Sequence, residues 1–206
     1  MWVFLIVVVG VVLWGIAAYN GLISLKNQTV NAFKQIDVQL KRRHDLIPNL
    51  VSAVKGAMDF ERGTLEAVIQ ARNQAVQVPH SGPENMKQIG KAESALTGAL
   101  SRLMVVVEQY PQLKATANVG QLQEELTSTE NKISFARQLY NDTATQYNTK
   151  QQQFPTNLVA GMAKAAPSDL WEIEDQGERA VPKVDFSMNP QLANPTSPPR
   201  ISKPQA

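Results

Sequence analysis

Val119–Phe154 reads VGQLQEELTSTENKISFARQLYNDTATQYNTKQQQF. Val119, Leu126, Ile133, Tyr140, Tyr147 and Phe154 recur every seven residues, with Leu122, Thr129, Ala136 and Thr143 at the intermediate positions. With about 3.6 residues per turn, this alternation lines one helical face and is the seam of a bundle or coiled coil. A second seam runs upstream through Ile89, Ala92, Leu96, Ala99, Leu103, Val106 and Tyr110. YPQLKATA (110–117) connects the two, its proline and lysine suiting a short reversal.

Further back, a third apolar track carries Leu22, Leu25, Phe33, Ile36, Leu40, Ile47, Leu50, Val54, Leu65 and Val68. It ends near Gln77, before the loop VPHSGPEN. From residue 20 to 153 no strand-like alternation is long enough to count. The expected fold is all-α: an N-terminal transmembrane helix followed by an elongated antiparallel bundle of three to four helices. The expected domains are an anchor over 1–19, a bundle over 20–166 and an acidic, then Pro-rich, largely disordered tail over 167–206. Six of the twelve prolines fall between Pro182 and Pro204, which argues against regular packing there.

The third track contains IDVQLKRRHDLIPNLVSAVKG (36–56), with a charge cluster and a proline at its waist. Pro48 inside a continuous helix removes one hydrogen bond and crowds the carbonyl of His44, at a cost of about 3 kcal/mol. If Asp45 caps a new start instead, Pro48 falls in a first turn where its missing N–H does no harm. Both options predict a helix joint at residues 44–48. Lys41 and Arg42 read as solvated. Arg43 lies on the apolar track itself, so it must snorkel or pair, with Asp45 or Glu108 as partners, or serve as a contact surface together with Asp45 and Pro48.

WVFLIVVVGVVLWGIAA (Trp2–Ala18) has no charged or strongly polar residue. As a helix it spans about 26 Å, near the lower limit for crossing a bilayer. Trp2 and Tyr19 stand at its two ends as interfacial aromatics. The rival reading is a cleaved signal peptide; against it stand the missing basic n-region and the length of the apolar run. No Lys or Arg precedes the span, while Lys26 and Lys34 follow it, so the positive-inside bias puts the N-terminus outside and the bundle in the cytoplasm.

Composition narrows the chemistry. A net charge of +2 is too small for a nucleic-acid partner. With no cysteine there is no disulfide, thiolate metal site or cysteine nucleophile. Two isolated histidines and no Glu-x-x-His pair exclude a di-iron bundle, and no Gly-x-Ser-x-Gly or phosphate-cradling loop is present. No catalytic, metal-ligating or cofactor-binding residue is expected. Glu124, Glu125 and Glu130 read as solvated around the seam. Tyr140-Asn141 and Tyr147-Asn148, seven apart, read as rings in the core with asparagines bonding neighbouring helices; a partner face is the sharper alternative. Arg72 and Arg137 read as helix-to-helix ion pairs with residues such as Glu61 or Glu130.

YNGLISLKN (19–27), the 36–56 stretch, YPQLKA (110–115), ENKISFARQLYNDTATQYNT (130–149), FPTNLVAGM (154–162) and VPKVDF (181–186) together resemble the LemA family of bacterial membrane-anchored proteins. The similarity covers roughly residues 19–186. It implies a single N-terminal anchor and an antiparallel bundle usually described as four-helical, with no established catalytic activity and loose links to envelope and membrane homeostasis. The fourth helix is then either residues 20–44 folding back at the joint or the apolar segment after Pro155. After Gly161 the chain departs from the family pattern, with MAKAAPSDLWEIED in place of a glycine-phenylalanine and its aromatic follower.

The expected function is a non-enzymatic, single-pass bacterial membrane scaffold or adaptor. Its partners would be the lipid bilayer through the first helix and a membrane or envelope protein yet to be identified. The alternatives are a regulatory subunit of a membrane enzyme such as a protease, or a self-assembling organiser, that is, a homo-oligomer.

Overall fold

A computed structural model describes residues 1–55, 61–111, 117–163 and 165–172. The helices are α1 (Trp2–Lys55), α2 (Arg62–Gln77), α3 (Met86–Glu108, after a 3-10 turn at Pro83–Asn85), α4 (Ala117–Gln152) and the short α5 (Thr156–Met162). There is no strand among the described residues, and the all-α class holds. Ala165–Glu172 follow α5 as an open strap along the bundle. The expectations for 173–206, VPKVDF included, lie outside the described residues, as does most of the 110–117 connection.

α1 is one helix of 54 residues, roughly 81 Å long at 1.5 Å per residue. Its first part is long and apolar enough to cross a membrane, and its large side chains up to Tyr19 stand exposed. So many valines disfavour a helix in water, but a segment in lipid must satisfy its backbone internally, and a helix does so. Bundle packing starts at Leu22.

The expected joint at 44–48 is not where the helix breaks. α1 runs through Pro48 to Lys55, and the next helix starts at Arg62. The proline's cost is met by packing on both sides: Ile47, Leu50, Val51 and Val54 are all buried in one cluster with Leu65, Val68 and Ala75 of α2. Each such side chain contributes about 1.5–3 kcal/mol. The track divides between Lys55 and Arg62, so the fourth rod of the bundle is α2, and neither residues 20–44 folding back nor the segment after Pro155. α2 ends at Gln77, where the sequence predicted a stop.

α4 packs antiparallel along α1, giving three apolar layers. The far layer joins α1, α2, α3 and the start of α4 through Leu50, Val68, Leu103 and Leu126. The middle layer joins Phe33, Ile36 and Leu40 to Met86, Ile89, Ile133, Tyr140 and Trp171. The base layer, nearest the apolar span, joins Leu22 and Tyr147 to Ala160 of α5. Trp171 is only 4% exposed, so the boundary expected at 166/167 falls inside the strap, whose far end is packed core.

Candidate functional site

Between the far and middle layers, all four long helices contribute to one polar level. Arg43 of α1 is 2% exposed and donates to Glu93 of α3, to Glu130 of α4 at 2.5 Å and to Thr97 Oγ1 at 3.1 Å. His44 Nε2 lies 2.8 Å from the other oxygen of Glu93. An ionised carboxylate only accepts, so the Nε2–H of His44 is the donor in this bond. Burial by itself disfavours the charged form of Glu93, yet the His44 hydrogen bond and the Arg43 charge outweigh it and hold Glu93 below the usual carboxylate range. Arg137 adds a looser contact to Glu130 at 3.8 Å.

α2 enters at the same level through the backbone. Pro48 has no N–H, so the carbonyl of His44, four residues earlier, loses its helical partner. Arg72 Nε donates to that oxygen at 3.3 Å. A guanidinium from the neighbouring helix thus occupies the acceptor that the proline frees, which joins Pro48, His44 and Arg72 in one arrangement.

A second polar system runs down α4. Asn141 donates to the carbonyl of Trp171 at 3.0 Å and accepts from its N–H at 2.9 Å. Asn148 does the same for Ser168, at 2.9 and 2.8 Å. Seven helical residues span about 10.5 Å, and three residues span about 10 Å only when nearly extended. The two amides therefore hold the strap extended. Tyr140 donates to the carbonyl of Asp169, and the Trp171 indole lies beside Gly90 with Arg137 5.2 Å from its ring centre. Burial foremost, with the charges of Asp169 and Glu84, pushes the Tyr140 phenol well up, and burial raises Tyr147.

The sequence-predicted residues fall into three groups. Arg43 is buried and paired, but with Glu93 and Glu130, neither Asp45 nor Glu108 being its partner; Asp45 is exposed on the far side of α1. Tyr140 and Tyr147 are core rings, as the seam demands, while Asn141 and Asn148 bond the strap and no helix. Arg72 meets the His44 carbonyl, and Glu61 only precedes α2. Arg137 meets Glu130 at 3.8 Å, but within α4 and not between two helices as expected, because the two residues lie seven apart on one helix. Glu130 is not simply solvated, since it accepts from Arg43. Phe154 leaves the seam: α4 ends at Gln152, and the ring is 81% exposed. Trp2 and Tyr19 flank the apolar part of α1, both exposed. Glu93, Thr97 and Trp171 were missed. The available signal for Glu93 was an acid four residues after Ile89 and three before Leu96, on the apolar face of α3, matching a lone arginine on the apolar face of α1.

The profile of the LemA family matches residues 32–186. The chain belongs to the LemA family. Among its relatives, Magnetosome protein MamQ 2 and MamQ 1 of Paramagnetospirillum magneticum are each 25% identical over 184 residues, covering 79% of this chain and 68% of theirs. Protein LemA of Metamycoplasma hominis is 31% identical over 144 residues, 68% of this chain and 63% of that protein. The LemA match takes in the polar level, both asparagine clamps and the strap.

Proposed function

We propose that this LemA-family chain is a non-enzymatic scaffold or adaptor, tethered to the bacterial membrane by the first part of α1 and acting in envelope or membrane homeostasis. The observation that carries this reading is α1 itself. The same uninterrupted helix supplies an exposed apolar span and one wall of every core layer. A tether that is also a core helix fixes the bundle's height over the bilayer and raises its effective concentration for other membrane proteins. The buried charges support the non-enzymatic part: Arg43 and His44 both bond Glu93.

The positive-inside bias supports an N-terminus outside and a cytoplasmic bundle. The partner is a membrane or envelope protein. On the α1–α4 face Phe135, Leu139 and Val38 stand exposed between Lys34 and Lys132, a surface suited to protein contact. That relatives bear names as different as magnetosome protein and LemA supports a binding module used in several settings.

The test is a swap in a deletion strain. Replacing Trp2–Ala18 by an unrelated transmembrane span should restore growth under envelope stress, and an anchorless bundle should not. Full rescue by the anchorless bundle would sink the tethered-scaffold reading.

A further inference from the structure

The base of the bundle carries an apolar face that the core does not use. α4 returns toward the end of α1 that bears the apolar span, and Tyr147 meets Leu22 there. α4 continues five residues past Tyr147 to Gln152, roughly 7.5 Å, while Ala18 lies four residues, roughly 6 Å, before Leu22. The end of α4 is therefore level with the end of the apolar span. Phe154 follows at once, and α5 then lies against α1, with Thr156 and Ala160 buried and Val159 packed near Leu22 and Leu25.

The opposite side of this segment is apolar and open. Phe154, Leu158 and Met162 are 81%, 62% and 87% exposed. The spacing of four puts Leu158 and Met162 on one face of α5, with Phe154 in the turn leading into it. Charge gives an independent observation. Residues 1–36, 143–163 and 165–168, the described parts of the chain at or near this end, contain Lys26, Lys34 and Lys150 and no acidic residue. Lysines without carboxylates suit anionic headgroups, and large apolar side chains suit the headgroup–acyl boundary.

We propose that Phe154, Leu158 and Met162 form a second membrane contact, which inserts α5 into the interfacial layer of an anionic bilayer beside α1. This rests on α1 spanning the membrane. One pivot lets a bundle tilt; two contacts fix its tilt and turn a defined face to its neighbours. The chain lacks cysteine, so single probes are simple to place.

The experiment puts the full chain in nanodiscs containing anionic lipid, with an environment-sensitive fluorophore on Val8→Cys, Leu158→Cys or Ser101→Cys in turn. Helical circular dichroism checks each variant. The expected result is blue-shifted emission, quenching by shallow doxyl lipid and loss of iodide quenching at Leu158→Cys, with Ser101→Cys open to iodide and Val8→Cys quenched only by lipid. Val8 in lipid with Leu158 behaving like Ser101 overturns the second contact and leaves the anchor standing. A water-accessible Val8 overturns the anchor reading itself. Leu158 shielded from both quenchers means that protein covers this face, which also overturns the proposal.

Discussion

Replacing Arg43 by Met removes the guanidinium that bonds both Glu93 and Glu130 while keeping a long apolar stem in its place. Glu93, 2% exposed, would keep only His44, and Glu130 would turn to Arg137 and water. Breaking a buried pair from one side costs about 3–5 kcal/mol. Because His44 still bonds one oxygen of Glu93, the lower half of that range is expected. At ~2–4 °C per kcal/mol for a chain of this size, the thermal midpoint should fall by roughly 6–16 °C. The assay is the helical circular-dichroism melt of the full chain in detergent, at neutral pH and then in acid. Glu93 has a lowered folded-state pKa, so the stability it contributes is complete above the unfolded glutamate value, about 4.3, and is lost as pH falls below it. The gap between wild type and Arg43→Met should therefore narrow below about pH 4. Glu93→Gln added to Arg43→Met should recover part of the loss at neutral pH. A variant melting within about 2 °C of wild type, or a gap that widens in acid, would refute the reasoning.

Three further outcomes follow from the same geometry. Pro48→Ala should raise the midpoint by restoring a helical donor to the His44 carbonyl. Arg72→Ala should then cost less in that background than in wild type; equal costs in a double-mutant cycle would mean that the Arg72 bond has nothing to do with the proline. In a Trp2→Phe/Trp14→Phe background, Asn141→Ala with Asn148→Ala should red-shift Trp171 emission at a cost of about 1–3 kcal/mol for each clamp lost; unchanged emission would show that the indole holds the strap alone. Tyr140 has a raised folded-state pKa, so its contribution is complete below the unfolded value near 10 and is lost as pH rises beyond it. Tyr140→Phe should flatten that alkaline decline, and an unaltered decline would assign it elsewhere.

The long helices were legible because their seams repeat: Val119 to Tyr147 on α4 and Ile89 to Leu103 on α3 lie on the faces that the spacing predicts. The helix bounds at Lys55 and Arg62 were not, because Pro48 is the strongest local signal in its neighbourhood and tertiary packing overrides it. Local rules count the missing N–H but cannot see Arg72 arriving from another helix. Arg43 was legible as a charge on an apolar track that needed a partner. Which carboxylate it takes depends on helix register, and candidates nearby in sequence or on an apparent face, Asp45 and Glu108, lost to Glu93 and Glu130. The strap was hidden for a different reason: its contacts go mainly through backbone N–H and C=O groups, which leave no trace in a side-chain pattern. Only Trp171 marked it, and the acidic residues after it drew attention away from its burial. Phe154 keeps the seven-residue spacing but lies beyond the end of its helix, where a seam no longer has a face to share.

The most direct measurement of the central claim is membrane topology. Ser81→Cys and Ser197→Cys would be introduced singly and treated with a membrane-impermeant maleimide in intact spheroplasts and after lysis, with the membrane fraction isolated in parallel. The account predicts that the chain sediments with membranes and that both sites label only after lysis. Labelling of intact spheroplasts, or recovery of the bundle in the soluble fraction, would contradict a cytoplasmic scaffold held by α1.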